Sequence, residues 1–257
     1  MRIVIKIGTS TLTHKTGNLN IRRVEKLCEV ISDIKNAGHE IILVSSGAIG
    51  MGVGKLGLNK KPEDIPSRQA AAAVGQCELM YIYDKLFDQY HHTVAQILIA
   101  GADLENETHK TNFSNTVSRL LEYGALPIIN ENDTIATEEI ALGDNDRLGA
   151  LVSRLVGADL LILLSDIEGL YTADPRKDAN AELISEVHEV TEELKALASG
   201  KGTVLGTGGM ITKLLAAEIC LEAGISMVIA KGAEPENLYD IVDGKNIGTT
   251  FTEKAYA

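Results

Sequence analysis

Proline occurs only five times in 257 residues, and no low-complexity linker interrupts the chain, so the sequence offers no domain boundary. A single domain over residues 1–257 is expected. Cysteine is as scarce: Cys28, Cys77 and Cys220 are odd in number, far apart and set in helix-like apolar patterns. That excludes a disulfide framework or a cysteine zinc site and favours buried thiols in a reducing compartment, the cytoplasm. Basic residues are outnumbered, with a net charge of -12 and a pI near 5.0. Nucleic acid is thereby excluded as a partner, because binding a phosphate backbone needs a basic face that releases counterions. Long apolar runs are missing too. No stretch approaches the ~20 residues of a membrane span, and MRIVIKIG is too short for the core of a signal peptide.

What the chain does have is 45% hydrophobic residues in short runs that alternate with helical periodicity, the pattern of a mainly parallel sheet with crossover helices. RIVIKI reads as a first strand. Residues 21–37 place Ile21, Val24, Leu27, Cys28, Ile31 and Ile34 at three- and four-residue spacing, between Asn20 as N-cap and Gly38 as stop. EIILV (40–44) reads as a buried strand, followed by the Gly-rich SSGAIGMGVGKLG, an Ala-rich helix from about Ser67 to Gln89, and strand TVAQILI. A helix near 108–123 leads to strand ALPIIN, a polar excursion, helix DRLGALVSRLVG and strand DLLILLS. A GLYTADPR loop, helix GMITKLLAAEICLEAG and strand SMVIAKG complete the alternation.

Ligands of open α/β sheets bind beyond the carboxyl ends of the strands. Those ends carry Lys6-Ile7-Gly8-Thr9-Ser10, Ser45-Ser46-Gly47, Asn130 to Asp133, and Ser165-Asp166, while GTGGMITK opens a late helix. GTGGMITK lacks the GxxxxGK[ST] phosphate-loop pattern, and Ile211 stands where a dinucleotide fingerprint needs its third glycine. It does expose backbone N–H groups at Gly206, Gly208 and Gly209, with Lys213 one turn inside the helix and leaning toward its N-terminus. Lys6 interrupts an apolar strand. Its charge must emerge at an occupied site, unless the strand is an edge with a solvated lysine. No Ser-His-Asp arrangement is apparent, and adjacent His91 and His92 would point to opposite faces of a strand, a poor start for a metal site. Two lysines, glycine N–H donors and clustered carboxylates fit phosphoryl transfer, with Mg²⁺ arriving on ATP.

The densest polar segment, residues 128–159, contains two near-copies of one phrase, NENDT and GDNDR, bringing Asn130, Glu131, Asn132, Asp133, Asp144, Asn145 and Asp146 together. A small polar ligand is the expected occupant.

VIKIGTS, VSSGAIG, AAAVGQ, INENDT, GDNDRL, LLSDIEGLYTADPR and GTGGMITK, in this order from Met1 to beyond Lys231, resemble the glutamate 5-kinase branch of the amino acid kinase family. The resemblance implies an α/β fold, a three-layer α/β/α sandwich around a mainly parallel sheet. It implies transfer of the γ-phosphoryl of ATP to the γ-carboxylate of L-glutamate, the first step toward proline, with proline as feedback inhibitor and a homo-oligomer, dimer or tetramer, as the assembly. Carried over, it puts Lys6, Asp146 and Lys213 in catalysis, Asp146 organising the two lysines. Ser46, Gly47, Asp133 and Asn145 fall on glutamate; Lys6, Ser165, Asp166, Thr207, Gly208, Gly209, Met210, Ile211, Thr212 and Lys213 fall on the nucleotide, with no metal ligand from the protein. Many members carry a C-terminal PUA-type domain, for which TTFTEKAYA leaves no room. Asp133 would pair the substrate ammonium while Gly47-type backbone donors take an anion. Asp146 need not act as a base, since a γ-carboxylate of pKa near ~4.3 is already ionised. Kinases of aspartate, N-acetylglutamate, carbamate or UMP share the lysine and glycine architecture, and a non-catalytic amino-acid sensor or a nicotinamide oxidoreductase are the readings from other classes.

Overall fold

The computed structural model describes residues 1–14, 18–136, 145–173, 175, 178, 180–199 and 209–253. At its centre is an eight-stranded sheet in the order β3-β4-β2-β1-β5-β9-β10-β8. Its strands are β1 (Arg2–Ile7), β2 (Glu40–Ser45), β3 (Val94–Ile99), β4 (Leu126–Glu131), β5 (Leu160–Ser165), β8 (Glu186–Val187), β9 (Ser226–Lys231) and β10 (Thr249–Phe251). Every pairing is parallel except that of β10 with β9. A separate small ladder joins β6 (Leu170–Tyr171) to β7 (Leu183–Ile184).

Alternation along β1 sorts the core into two layers. Ile3, Ile5 and Ile7 face one side with Leu27 and Ile31 of α2 (Ile21–Asn36) and Leu79, Tyr83 and Phe87 of α4 (Ile65–Asp88). Val4, Ile42 and Val44 face the other, with Phe113 of α5 (Glu107–Glu122), Leu148 and Val152 of α6 (Asp146–Val156), and Leu214 of α8 (Gly209–Glu222). Helices on both faces of a mostly parallel sheet make the three-layer arrangement expected. Each fully buried Leu or Ile contributes about 1.5–3 kcal/mol. Capping places the helix starts: the Asn20 side chain accepts from Arg23 N, and that of Asp64 from Ser67 N. With Asp64 as cap and Pro66 in the first turn, α4 begins at Ile65, ahead of the expected Ser67.

One alternative falls away and two expectations change. Lys6 is on no edge: β1 lies between β2 and β5, and Lys6 is in register with Val44 and Leu163. Cys77 is exposed on the outer face of α4, whereas Cys28 and Cys220 are buried as expected. His91 and His92 occupy a turn after α4, not a strand, with His91 at φ 58. Short elements also emerge that periodicity did not mark: α1 (Thr9–Leu12), α7 (Glu192–Ser199), α9 (Asn237–Val242) and the strands β6, β7, β8 and β10.

The Gly-rich stretch after β2 is mostly a helix, α3 (Ala48–Lys55), entered through Gly47 at φ 103. Glycine costs about 1 kcal/mol per position in a helix relative to alanine, so packing must supply the reason. A Cβ on Gly52 would stand 1.8 Å from the Ala71 carbonyl oxygen, and one on Gly75 would stand 1.7 Å from that of Ala48. The backbones of α3 and α4 are in direct contact at these two points. No helix among the described residues is long and apolar enough to cross a membrane.

Candidate active site

Three buried charges meet at the carboxyl end of β1. Lys6, 5% exposed, extends from the strand past Gly149, where a Cβ would meet the lysine Cβ at 3.5 Å. Gly149 is one turn after Asp146 on the same face of α6. The Lys6 Nζ reaches Asp146 Oδ1 at 2.7 Å, and Lys213 Nζ reaches Asp146 Oδ2 at 2.8 Å. Thr212 Oγ1 donates to the same oxygen at 3.1 Å, and Lys213 Nζ also donates to the Gly209 carbonyl at 3.2 Å. Asp146 is fully buried in the first turn of α6, where the helix dipole favours a negative charge. One carboxylate therefore holds two ammonium groups that come from a strand and from another helix. Removing a partner from such a set strands a desolvated charge, at about 3–5 kcal/mol.

Beside this centre the polar segment closes on itself. The two near-copies of the sequence are joined directly, because Asn145 Nδ2 donates to Asn130 Oδ1 at 2.8 Å and to the Ser45 carbonyl at 2.8 Å. Asn130 Nδ2 in turn donates to Gln76 Oε1 at 2.8 Å. Asn145 occupies the N-cap position of α6, yet its side chain makes no capping bond; it is committed to this amide network. Ser45 Oγ lies 2.9 Å from the Tyr83 hydroxyl, which burial pushes above its usual pKa range. So the second strand, the fourth strand, α4 and α6 are tied by buried amides, while the Gln76 Nε2 is buried with no partner among the described residues.

The network forms the wall of a cavity of about 140 Å³, lined by Thr9, Ser46, Gly47, Ala48, Ile49, Gly50, Lys61, Arg68, Asn130, Asp133 and Asn145. Drug-sized ligands need roughly 300–1,000 Å³, so this space suits a small polar molecule. All four residues expected to hold the amino acid (Ser46, Gly47, Asp133 and Asn145) line it. Burial raises the Asp133 carboxyl above the usual aspartate range, against the opposing pull of Lys61 and then Arg68.

Besides Lys6 on β1, the residues expected on the nucleotide lie, where described, at the end of β5 and at the start of α8. Ser165 ends β5, with its hydroxyl donating to Asp166 Oδ1 at 3.2 Å and its carbonyl accepting from Gly232 N at 2.7 Å. Gly209 opens α8; Ile211 and Thr212 follow in its first turn, while the Met210 side chain is in the core, leaving only its backbone for a ligand. Thr207 and Gly208, together with Gly206 and Asp144, lie outside the described residues. No group of three metal-ligating side chains occurs among the described residues.

Sequence reasoning missed Lys61 and Arg68, and gave no role to Thr9 or Gln76 within the stretches it singled out. Lys61 and Arg68 stand in NKKPEDIPSRQ, a segment that reads as solvated charge around a helix start. The one usable signal was an arginine opening an otherwise Ala-rich helix.

The sequence model of the Amino acid kinase family matches residues 1–231. The glutamate 5-kinase of Clostridium perfringens (strain 13 / Type A) is 55% identical over 257 residues, covering 98% of this chain and 96% of that protein. That of Clostridium tetani (strain Massachusetts / E88) is 53% identical over 249 residues, covering 97% and 93%. Among solved structures, the carbamate kinase of Giardia lamblia bound to AMP-PNP superposes with a TM-score of 0.68 over 98% of each chain, at 16% identity, a likeness of fold.

Proposed function

The chain belongs to the amino acid kinase family, and from that premise we propose that it is a glutamate 5-kinase, transferring the γ-phosphoryl group of ATP to the γ-carboxylate of L-glutamate on the route to proline. The observation that carries this reading is the Lys6–Asp146–Lys213 centre adjoining a small cavity walled by amides and Asp133. Relatives named glutamate 5-kinase at 55% and 53% identity support the choice of acceptor.

In the reaction a γ-carboxylate oxygen attacks the terminal phosphorus of ATP. A new P–O bond forms, the bridging P–O bond to the β-phosphate breaks, and ADP leaves with that bond's electrons. No base is required, because a carboxylate of pKa near ~4.3 is already ionised. The protein's task is to position the reactants and offset charge spread over the equatorial oxygens. Lys6 and Lys213 do this from fixed positions set by Asp146, whereas free lysines would have to be ordered in each turnover. Ser165, Asp166 and the segment from Thr207 to Lys213 receive the nucleotide. Mg²⁺ carried on the nucleotide would offset charge on the phosphate oxygens. Asp133 pairs the substrate ammonium. Proline, which carries the same ammonium and α-carboxylate, competes for the glutamate cavity. A homo-oligomer in the cytoplasm, built on one domain over 1–257, completes the proposal.

ATP, Mg²⁺, glutamate and hydroxylamine should yield γ-glutamyl hydroxamate, because hydroxylamine traps an acyl phosphate. Hydroxamate from aspartate or N-acetylglutamate instead would transfer the assignment to another member of the family. ADP release without an acceptor would remove it.

A further inference from the structure

A glutamate cavity needs places for two carboxylates and one ammonium, and its acidic partner, Asp133, has been accounted for. Two features of the cavity attract anions. The first is the start of α3, where the N–H groups of Ala48, Ile49 and Gly50 have no partner within the helix and the dipole is positive. The second is the cation pair Lys61 and Arg68. Neither cation, nor Asp133, enters an ion pair among the described residues. The Arg68 Nε is shielded from solvent and has no hydrogen-bond partner among the described residues. Two cations against one carboxylate leave this group with an excess positive charge that no protein group among the described residues offsets.

Geometry decides which carboxylate goes where. Gly50 abuts Thr9, a Cβ there lying 3.7 Å from Thr9 Cγ2, and Thr9 follows Gly8, whose Cβ would stand 3.7 Å from Lys6 Nζ. The start of α3 is thus on the phosphoryl-transfer side of the cavity and suits the reacting γ-carboxylate. Lys61, Arg68 and Asp133 act on one another electrostatically, as groups must that receive an α-carboxylate and an ammonium borne by the same carbon.

We propose that Arg68, with Lys61 beside it, receives the α-carboxylate of the substrate next to Asp133, so that the two sides of this charged group together select an intact α-amino acid head. The assignment rests on the glutamate-kinase reading. Arg68 is held for this by its place one turn into α4, behind the Asp64 cap, with its own N–H donating to the Asp64 carbonyl at 3.2 Å. Partial burial, then the charge of Arg68, pulls the Lys61 ammonium below its usual range, with Asp133 opposing; an incoming carboxylate relieves that repulsion.

The test compares glutamate with 4-aminobutyrate, which keeps the ammonium and the terminal carboxylate and lacks the α-carboxylate. In the full-length chain, Arg68→Gln should raise the glutamate KM roughly a hundredfold with the ATP KM within about threefold of the parent, the cost of stripping one partner from a charge pair. The competitive inhibition constant of 4-aminobutyrate should hardly move. Arg68→Lys should restore part of the loss, and Lys61→Met, on an exposed segment that need not disturb folding, should give a smaller change of the same kind. A glutamate KM that stays put in all three variants, or a 4-aminobutyrate affinity that falls in step with it, overturns the role of the pair. If the parent makes no glutamyl hydroxamate at all, the glutamate-kinase reading fails, and this inference with it.

Discussion

The two charged groups of the active site are built on opposite plans. Around Asp146 both lysines are buried and already bonded to the carboxylate before any ligand is considered. Around Asp133 the charges line an open cavity, and Lys61 and Arg68 make no ion pair with it among the described residues. A self-paired centre gains its value from rigidity, since its geometry does not wait for substrate. A group left with excess charge gains its value from the ligand that completes it. On the proposed reading, catalysis and selection fall in different places.

The sharpest way to break this contrast is Asp146→Asn, which keeps shape and removes charge. Two buried lysines would lose their common partner, so stability should fall by about 3–5 kcal/mol, and kcat by roughly 10²–10³ with little change in either KM. Thermal melting and steady-state kinetics read the two effects. A kcat within about threefold of the parent would mean that packing alone positions the lysines.

Asp133→Ala should show the reverse profile. The glutamate KM should rise by an amount equivalent to about 2–4 kcal/mol while ATP affinity holds. Were Asp133 only a turn residue, the melting temperature would drop and substrate preference would not change.

Gly75→Ala probes the scaffold that both groups share. The added methyl would stand 1.7 Å from the Ala48 carbonyl oxygen, so α3 must move off α4, at about 3 kcal/mol. Because Ala48 opens α3 beside the cavity, the glutamate KM should suffer more than the ATP KM; equal effects on both would show that the helix pair does not shape the amino-acid cavity on its own.

The smallest effect concerns pH. The native pKa of Asp133 is raised by burial, so the folded chain holds this proton more tightly than the unfolded one. Its stabilising contribution is complete below the unfolded value and is lost as pH rises through the native one. The stability of Asp133→Asn relative to the parent should therefore increase from acidic toward neutral pH. A difference that is flat across this range would mean that the carboxyl is not perturbed.

Much of this was legible in the sequence, for reasons that differ by residue. Long periodic elements such as α2 announced themselves, and Lys6 and Lys213 stood out because a lysine in an apolar strand or behind a run of glycines is costly without a partner. The joining of NENDT to GDNDR could be suspected from their similarity, although the Asn130–Asn145 bond could not. Arg68 was hidden because exposed and cavity-lining charges look alike until the chain folds. α3 was hidden for another reason: its glycines argue against a helix locally, and only the neighbouring backbone of α4, more than twenty residues later in the chain for the Gly52 and Gly75 pair, reverses that argument. Strands of two or three residues such as β6 and β8 carry too few side chains for a period to register.

The contact between Gly52 and Gly75 also limits what kinds of change the molecule can absorb. Every side chain other than glycine's begins with the atom that collides there, so these positions leave no room for gradual variation in size. The wall formed by α3 cannot be pushed outward by a substitution behind it, and a cavity redesigned for a bulkier acceptor would have to gain its space elsewhere, from the exposed segment that carries Lys61. Selectivity is adjustable along one border of the cavity and locked along another.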